Sequence, residues 1–202
     1  SSDLTTCQTV QLHNLNEKTV CRIALEALEH GIITRGGGGD FPRNVMVSPL
    51  SGVEKEEYFD VMPYSLAVSD YLLSRIHGPM LPRKLKVAFS NSAENLTHAT
   101  FRDLGFAARP DGLFDVYSAG GLGINPSFGI KVADGVEPEQ ILYYVKAMYD
   151  LYLEYGNYEN RAKARSRFIP EALGGEERYR EVFREMLESA LTCGENLRMN
   201  PR

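Results

Sequence analysis

Two lysines, Lys84 and Lys86, stand two positions apart at the entrance to an apolar stretch that includes Val87 and Phe89. On a β-strand, residues separated by two positions project from the same face, so the two ammonium groups would lie side by side. Like charges on one face repel each other and lose hydration on burial, and an anion between them relieves both penalties. The spacing therefore favours an anion site, and the competing interpretation is a basic strand entrance that stays in water.

Two further places combine cationic side chains with unusual backbone. A run of glycines at 36–39 precedes Arg43, and a second glycine-rich loop spans 120–123. Arginine offers a planar fork that fits carboxylates, whereas lysine acts as a movable point charge and a proton donor. Together with the lysine pair, these places could hold a polyanionic cofactor or a small oxyanion.

The loop at 120–123 also invites a dinucleotide-binding interpretation, because it follows a good strand pattern. Counted from Gly121, the pattern is G-x-G-x-x-P, with Pro126 where a third glycine would open a helix, and this disfavours a Rossmann fingerprint. The glycines more simply allow the backbone to approach a neighbour or a bulky ligand closely. The histidines share no metal-ligand spacing and are better explained as surface or hydrogen-bonded residues. They are His13, His30, His77 and His98.

The composition excludes several classes of function. A formal net charge of −5 over 202 residues argues against general nucleic-acid binding. No apolar stretch approaches the roughly 20 residues of a membrane span, and no signal-peptide pattern is present at the start. Cys7, Cys21 and Cys193 are scattered without CxxC spacing, so neither a disulfide framework nor a metal site is expected, and a reducing, cytoplasmic setting fits best.

The hydrophobic pattern predicts short strands mixed with helices. The predicted strands cover 8–13, 43–47, 81–91, 105–108, 113–118 and 130–133. The predicted helices run from Asn16 to Gly31, from Asp60 to Gly78, from Pro138 to Gly156 and over 176–191, with a helical turn at 97–102. Several strands are joined closely enough to be antiparallel, which favours an α+β fold, a mixed β-sheet layered with helices, over a doubly wound parallel sheet.

The basic segment 161–167 has two interpretations. The simpler one is a solvated face of a helix. The alternative is that its arginines brace an acidic segment elsewhere in the fold.

Several stretches of the chain resemble the siroheme-dependent nitrite/sulfite reductase family. The stretches that carry the resemblance are 42–46, 81–86, 95–106, 114–117, 119–123 and 157–167, the last with a GN..NR.KAR character. Their order covers essentially the whole chain. Family members are pseudo-repeats in which each half joins half of a ferredoxin-like domain to a larger α/β domain. The resemblance is to the first half, with 1–42 as part of a ferredoxin-like half-domain and 43–202 as the nitrite/sulfite reductase α/β domain.

The resemblance implies a reaction, cofactors and partners. In the family, siroheme and a [4Fe-4S] cluster coupled through a shared cysteine reduce sulfite to sulfide, or nitrite to ammonia, by six electrons. The substrate is then a small oxyanion, sulfite or nitrite, and the electron donor a ferredoxin or a flavoprotein. The implied catalytic residues are Arg43, Lys84 and Lys86, which would bind the anion and protonate departing oxygens. Nitrite reductases tend to have Asn in place of Lys86, so this residue favours sulfite.

The implied cofactor-binding residues match positions close to the haem in the family. They are Thr5, Gln11, His13, Arg43, Asn44, Gly120 and Gly121.

Three departures from the family pattern limit these expectations. The four cluster cysteines belong to the second half, so no metal ligand is assigned here, and a further substrate-site arginine would precede Ser1. Cys7 stands where the family usually has an arginine that contacts siroheme carboxylates, and its loss should weaken the grip on the cofactor. We therefore expect that the isolated chain is an inactive fragment of something longer and binds neither cofactor fully. It would need a missing C-terminal half or a partner subunit.

Two alternatives remain. One is a non-catalytic binding or assembly half that pairs with a partner subunit or with itself. The other is a small-anion binding module that takes no haem.

Overall fold

The computed structural model describes residues 1–200 of the chain as an α+β protein. The strands are Ser2–Leu4 (β1), Val10–Leu12 (β2), Val87–Ser90 (β3), Leu104–Ala108 (β4), Phe114–Ser118 (β5) and Ile130–Val136 (β6). The helices are Glu17–Glu29 (α1), Met62–Ser74 (α2), Ile141–Tyr155 (α3), Ile169–Leu173 (α4) and Glu176–Thr192 (α5). Short 3-10 turns cover Ala99–Phe101, Pro138–Gln140, Arg161–Lys163 and Ser166–Phe168.

A four-stranded sheet in the order β3-β4-β5-β6 forms the centre of the fold. β3 and β4 are parallel, whereas the β4–β5 and β5–β6 pairs are antiparallel. Phe89, Phe106 and Phe114 lie on one face of three successive strands and are fully buried. The rings of Phe89 and Phe106 stack with centroids 4.8 Å apart, and Phe114 meets Phe89 edge-on at 5.8 Å. The predicted α+β mixed sheet is confirmed.

Helices α3 and α5 cover the face of the sheet that carries these rings. The apolar stripe of α3 recurs at helical spacing and is buried, at Ile141, Val145, Met148 and Tyr152. The hydroxyl groups of Ser118 on β5 and Tyr179 on α5 lie 2.7 Å apart, so the polar atoms in this core have partners.

The opposite face of the sheet is covered by the turn Ala99–Phe101, and the segment around Met46 lies beside β3 at the edge of the sheet. A side chain at Gly105 would overlap the carbonyl group of Ala99, so β4 needs glycine where the turn crosses it. Met46 bridges to Ala88 of β3 in parallel register. This second face positions the basic residues described below.

The first 42 residues form a hairpin and one helix that contribute little to the core. β1 and β2 pair in antiparallel register, and Asn16 caps α1 by accepting a hydrogen bond from the Thr19 backbone at 2.9 Å. No residue of α1 is buried, and its side chains Leu25 and Leu28 are about two-thirds exposed, at 65% and 66%. The apolar face of this unit has no covering layer in residues 1–200.

Several predicted boundaries differ from the structure. The strand predicted at 43–47 is wrong, because only isolated bridges at Pro42 and Met46 form there. The strand predicted over 81–91 is regular only from Val87 to Ser90. Helix α2 stops at Ser74 rather than near Gly78, because the Arg75 backbone turns back to the carbonyl of Leu72. The helical interpretation of 161–167 is wrong, since this segment consists of 3-10 turns.

Candidate functional site

The lysine pair lies at the start of β3, on the face away from α3 and α5. Leu85 and Val87 are fully buried in the core, and Lys84 and Lys86 alternate with them on the other side. Burial, and then the charge of Lys86, lowers the pKa of the Lys84 ammonium group below its ordinary value. Within residues 1–200, the ammonium group of neither lysine forms a salt bridge with a carboxylate. The two cations therefore lack carboxylate partners.

Arg43 lies beside this pair. Its backbone donates to the carbonyl of Leu85 at 2.9 Å, and its guanidinium donates to the carbonyls of Gly37 and Gly39 at 2.6 and 3.2 Å. The guanidinium thus holds the glycine loop and adds its charge to those that lower the pKa of Lys84. Burial lowers the pKa of Arg43 itself, and the charge of Asp40 opposes that shift. Loop and cation form one unit.

A tight turn of residues 5–9 places Cys7 over Lys86. The ammonium of Lys86 donates to Sγ of Cys7 at 2.9 Å. The side chain of Gln8 clasps the Val47 backbone with bonds of 2.5 and 3.1 Å, and Asn44 binds the carbonyl of Cys7. The turn is therefore fixed at several points. Cys7 was not expected to contact a substrate-site lysine, and no sequence pattern indicates this pairing.

The thiol of Cys7 is in a strongly cationic place. Burial opposes its ionisation, but the hydrogen bond and charge of Lys86, followed by the charge of Arg102, lower its pKa below the ordinary value. Arg102 is buried and donates to the carbonyl of Thr97 at 3.2 and 2.9 Å. Arg102 is therefore a second cation held near the sulfur.

A buried carboxylate lies beneath the lysines. Asp103 is fully buried and accepts from the Lys86 backbone at 2.9 Å and from Arg165 at 3.0 and 3.1 Å, with Ser166 as a third donor. Burial acts against the Arg165 charge, but Asp103 outweighs it and raises the pKa of Arg165. Asp103 therefore fixes the backbone of Lys86 and neutralises one arginine. Asp103 lies within the stretch 95–106, which carries part of the family resemblance, and that resemblance could have indicated it from the sequence.

Residues 161–167 brace acidic groups, as the second interpretation of this segment proposed. Arg161 and Arg83 both bind Asp40, at 2.7 and 3.1 Å, and Arg165 binds Asp103. The hydrogen bond from Arg161, followed by that from Arg83, lowers the pKa of Asp40. The segment thereby ties the glycine loop to the rest of the site.

The loop at 120–123 lies against arginines and backbone. A side chain at Gly120 would come within 2.8 Å of the carbonyl of Arg102, and one at Gly121 within 3.0 Å of Nη1 of Arg167. Close approach to the protein itself therefore explains Gly120. Nε of Arg165 and Nε of Arg167 are buried without a hydrogen-bond partner in residues 1–200. Unpaired buried donors of this kind suit an anionic acceptor.

The remaining predicted cofactor residues lie in the hairpin. Thr5 accepts a hydrogen bond from Thr9 at 3.2 Å within the turn, and His13 lies 2.9 Å from Asp3 across the β1–β2 pair. Gln11 is exposed on β2. The structure thus groups Arg43, Asn44 and the lysines, whereas Gln11 and His13 stand on the hairpin and contact none of them by hydrogen bond.

Comparison with known proteins gives the family. The profile of the family described as nitrite and sulphite reductase 4Fe-4S domain matches residues 38–191. The chain belongs to the nitrite and sulphite reductase family. The predicted resemblance is confirmed.

Three relatives show how much of a nitrite or sulphite reductase this chain represents. It is 30% identical to an assimilatory ferredoxin-dependent nitrite reductase of Haloferax mediterranei, over 97% of this chain and 35% of that protein. It is 30% identical to the sulfite reductase [ferredoxin] 1 of Mycolicibacterium paratuberculosis, over 93% and 33%. It also resembles the structure of the Mycobacterium tuberculosis NirA protein with a TM-score of 0.78 and 29% identity, over 93% and 34%. The chain spans about a third of the length of these relatives.

The described residues fit one of the two cofactors that the family implies. Siroheme is a polycarboxylate, and the unpaired cations and orphaned arginine donors of this face suit such a group. A [4Fe-4S] cluster does not fit, because residues 1–200 contain no group of three or more candidate metal ligands. Cys7 contacts Lys86, whereas Cys21 and Cys193 are exposed on other elements.

One further property was expected from the sequence. None of the helices within residues 1–200 is both long enough and apolar enough to cross a membrane.

Proposed function

We propose that this chain supplies the basic, substrate-facing part of a siroheme-dependent reductase that converts sulfite or nitrite by six electrons. The observation that carries the proposal is the grouping of Lys84, Lys86 and Arg43 on one face without a carboxylate salt bridge within residues 1–200. Membership of the nitrite and sulphite reductase family supports it. The division into 1–42 and 43–202 is part of the proposal, supported by the core, which begins only at Val45.

The lysines and the arginine have distinct roles in this proposal. Lys84 and Lys86 bind the oxyanion and donate protons to oxygens that leave as water. Because its pKa is lowered, Lys84 gives up a proton more readily than Arg43, whose guanidinium stays charged. Lys86 favours sulfite over nitrite as the substrate. Arg43 holds the glycine loop and adds positive charge beside the anion.

Siroheme would supply the iron that binds the oxyanion and receives the electrons. The residues proposed to hold its carboxylates or line its site include Arg43 and Asn44, whose positions beside the lysine pair support that role, and Gly121, which lies against Arg167. Thr5, Gln11, His13 and Gly120 stay predicted contacts. The relatives named as ferredoxin-dependent support a ferredoxin as the electron donor. A reducing, cytoplasmic setting is proposed from the scattered cysteines.

We also propose that a further segment or subunit completes the fold. The exposed apolar side chains of the first unit support this, with Val10 on β2 60% exposed and Leu28 on α1 66% exposed. A matching hairpin-and-helix unit would cover them. A measurement of mass in solution tests this proposal, because a purely monomeric, soluble chain would count against obligatory pairing.

Siroheme titration tests the cofactor proposal. We expect the absorbance spectrum of siroheme to shift on adding the chain, and sulfite to shift it further. The K84M/K86M variant should bind at least about tenfold more weakly, because two charge-assisted contacts are lost. A matched control is K18M/K55M, which removes two exposed lysines elsewhere and should bind like the original chain. Equal binding by both variants would contradict the proposal.

A second candidate function is favoured by Cys7, which stands at a position where the family usually has an arginine. Its sulfur accepts a hydrogen bond from the Lys86 ammonium group. In this case the chain binds a small anion or a partner without haem. No spectral change with siroheme, together with a higher melting temperature in sulfate, would support this candidate over the reductase. We also expect that the chain alone holds no [4Fe-4S] cluster. Reconstitution with iron and sulfide tests this expectation separately.

A further inference from the structure

The contact between Cys7 and Lys86 goes beyond anything that the proposed function requires. The sulfur and the ammonium nitrogen lie 2.9 Å apart. The turn that carries Cys7 is fixed by Gln8 to Val47 and by Asn44, so the two atoms are held in contact rather than meeting by chance. The fold therefore holds the Cys7 thiol against the Lys86 amine.

Two observations make this thiol more reactive than the others in the chain. Lys86 and Arg102 both stabilise its thiolate form, and the thiolate is the nucleophile. Cys7 is also half-exposed, so a small oxidant can reach it. Cys21 and Cys193 are exposed, and neither has a lysine or arginine as a hydrogen-bond partner in residues 1–200. They serve as internal references.

We propose that Cys7 and Lys86 form a peroxide-sensitive pair that oxidation closes into a sulfur–nitrogen (sulfenamide) cross-link. The thiolate attacks one oxygen of hydrogen peroxide, the O–O bond breaks, and the departing hydroxide takes a proton from the Lys86 ammonium. This step gives a sulfenic acid, a neutral amine and water. The amine then attacks the sulfur, the S–O bond breaks, and hydroxide leaves with a proton from nitrogen as a second water.

The balance of this reaction is closed within the pair and its oxidant. One peroxide is reduced to two waters, the sulfur is oxidised by two electrons, and the protons come from the ammonium group. Both charges of the pair are lost, so the basic face would keep Lys84 and Arg43 but lose Lys86. A small thiol reverses the link by attacking the sulfur and releasing the amine. The cross-link itself does not depend on the proposed reductase function.

Peptide mapping of the peroxide-treated chain tests the proposal. We expect a species that joins the Cys7 peptide to the Lys86 peptide and weighs two hydrogens less than their sum. Trypsin should fail to cleave after Lys86, and dithiothreitol should restore both peptides. Cys7 should react several-fold faster than Cys21 or Cys193 at neutral pH, because Lys86 and Arg102 favour its thiolate form.

Two variants separate the link from general oxidation. K86R keeps a positive charge beside the sulfur but has no amine that can attack it, so dimedone should trap Cys7 as a sulfenic acid without a cross-link. C7S should give no modification at this position. The same over-oxidised Cys7 product in K86R and the original chain, or Cys7 no faster than Cys21, would overturn the proposal. A siroheme titration that failed would leave this result unaffected, so the two proposals fail separately.

Discussion

Two clusters of cations in this chain are built in opposite ways. At the β5–β6 edge, Arg109 binds Asp111 and Asp115 at 2.7 and 3.2 Å, and Lys131 binds Asp115 and Asp134 at 2.8 and 2.5 Å. The hydrogen bonds that Lys131 donates to Asp115 and Asp134 raise its pKa. Every cation here has a carboxylate, so the cluster is explained by the fold alone.

The basic face at the start of β3 shows the reverse. Burial and the charge of Lys86 lower the pKa of Lys84, whose neighbours Arg43 and Arg165 are cations as well. The carboxylate closest to this face, Asp103, is already bound by Arg165. A lysine whose charge the protein itself disfavours is better explained by a guest anion than by architecture. Unbalanced charge, rather than charge density, therefore marks the candidate site.

The largest expected effect follows from replacing Asp103, the buried carboxylate that balances part of the basic face. D103N should lower the free energy of unfolding by about 3–5 kcal/mol, because it leaves the buried Arg165 without its counter-charge. Urea unfolding followed by circular dichroism measures this. Loss of the bond from the Lys86 backbone should add to the effect.

A matched control for this variant lies in the balanced cluster. D134N removes an exposed carboxylate from Lys131 and Arg109 and should cost much less stability than D103N. Similar losses in D103N and D134N would show that burial does not distinguish the two clusters. The different charge balance of the two clusters would then not be reflected in the free energy of unfolding.

The sequence predicted the general fold well, and local reasons explain where it failed. The helices predicted from Asn16 and from Pro138 follow from near-neighbour chemistry, and both form, as α1 and α3. The segment 43–47 has a strand pattern, but it forms only isolated bridges, which no local pattern reveals. Segment 161–167 has the charge of a solvated helix, yet its arginines fold inward onto Asp40 and Asp103.

The candidate site was predicted only in part. The shared face of Lys84 and Lys86 follows from the period of a strand and holds although regular pairing begins at Val87. Cys7 and Lys86 are 79 positions apart in the sequence, and their contact depends on how Gln8 binds Val47. Partners so far apart in sequence are fixed by tertiary packing, so spacing along the chain carries no signal of them.

The second prediction concerns the lysine without a partner. K84M should raise the free energy of unfolding by about 0.5–1 kcal/mol, because it removes a partly buried cation that its neighbours repel. Thermal and urea unfolding at neutral pH measure the gain. The same variant should weaken binding of sulfate or phosphate, so stability and anion binding change in opposite directions. A loss of stability in K84M would show that the neighbouring cations do not destabilise Lys84.

The third prediction is the counterpart in the balanced cluster. K131M should lower the free energy of unfolding by about 0.5 kcal/mol, because it leaves Asp115 and Asp134 with Arg109 as their remaining cation. The same urea experiment measures it, and sulfate should stabilise this variant as much as the original chain. Changes of opposite sign in the free energy of unfolding of K84M and K131M would show directly that the two clusters differ in charge balance. If K131M were stabilising, balance by carboxylates would not explain this cluster.

The smallest expected effect is the pH dependence of these two differences. The folded pKa of Lys84 lies below its ordinary value of 10.5, so its penalty is complete at neutral pH and fades as pH rises towards that value. The folded pKa of Lys131 is raised, so its contribution is complete below 10.5 and is lost above it. The gain in K84M should therefore shrink by a few tenths of a kcal/mol between about pH 8 and 10, while the loss in K131M stays constant over that range. Urea unfolding of the three proteins at each pH measures both, because the tyrosines they share cancel in the differences. A gain in K84M that grew with pH would show that Lys84 is paired in solution, and the distinction between the two clusters would fail there.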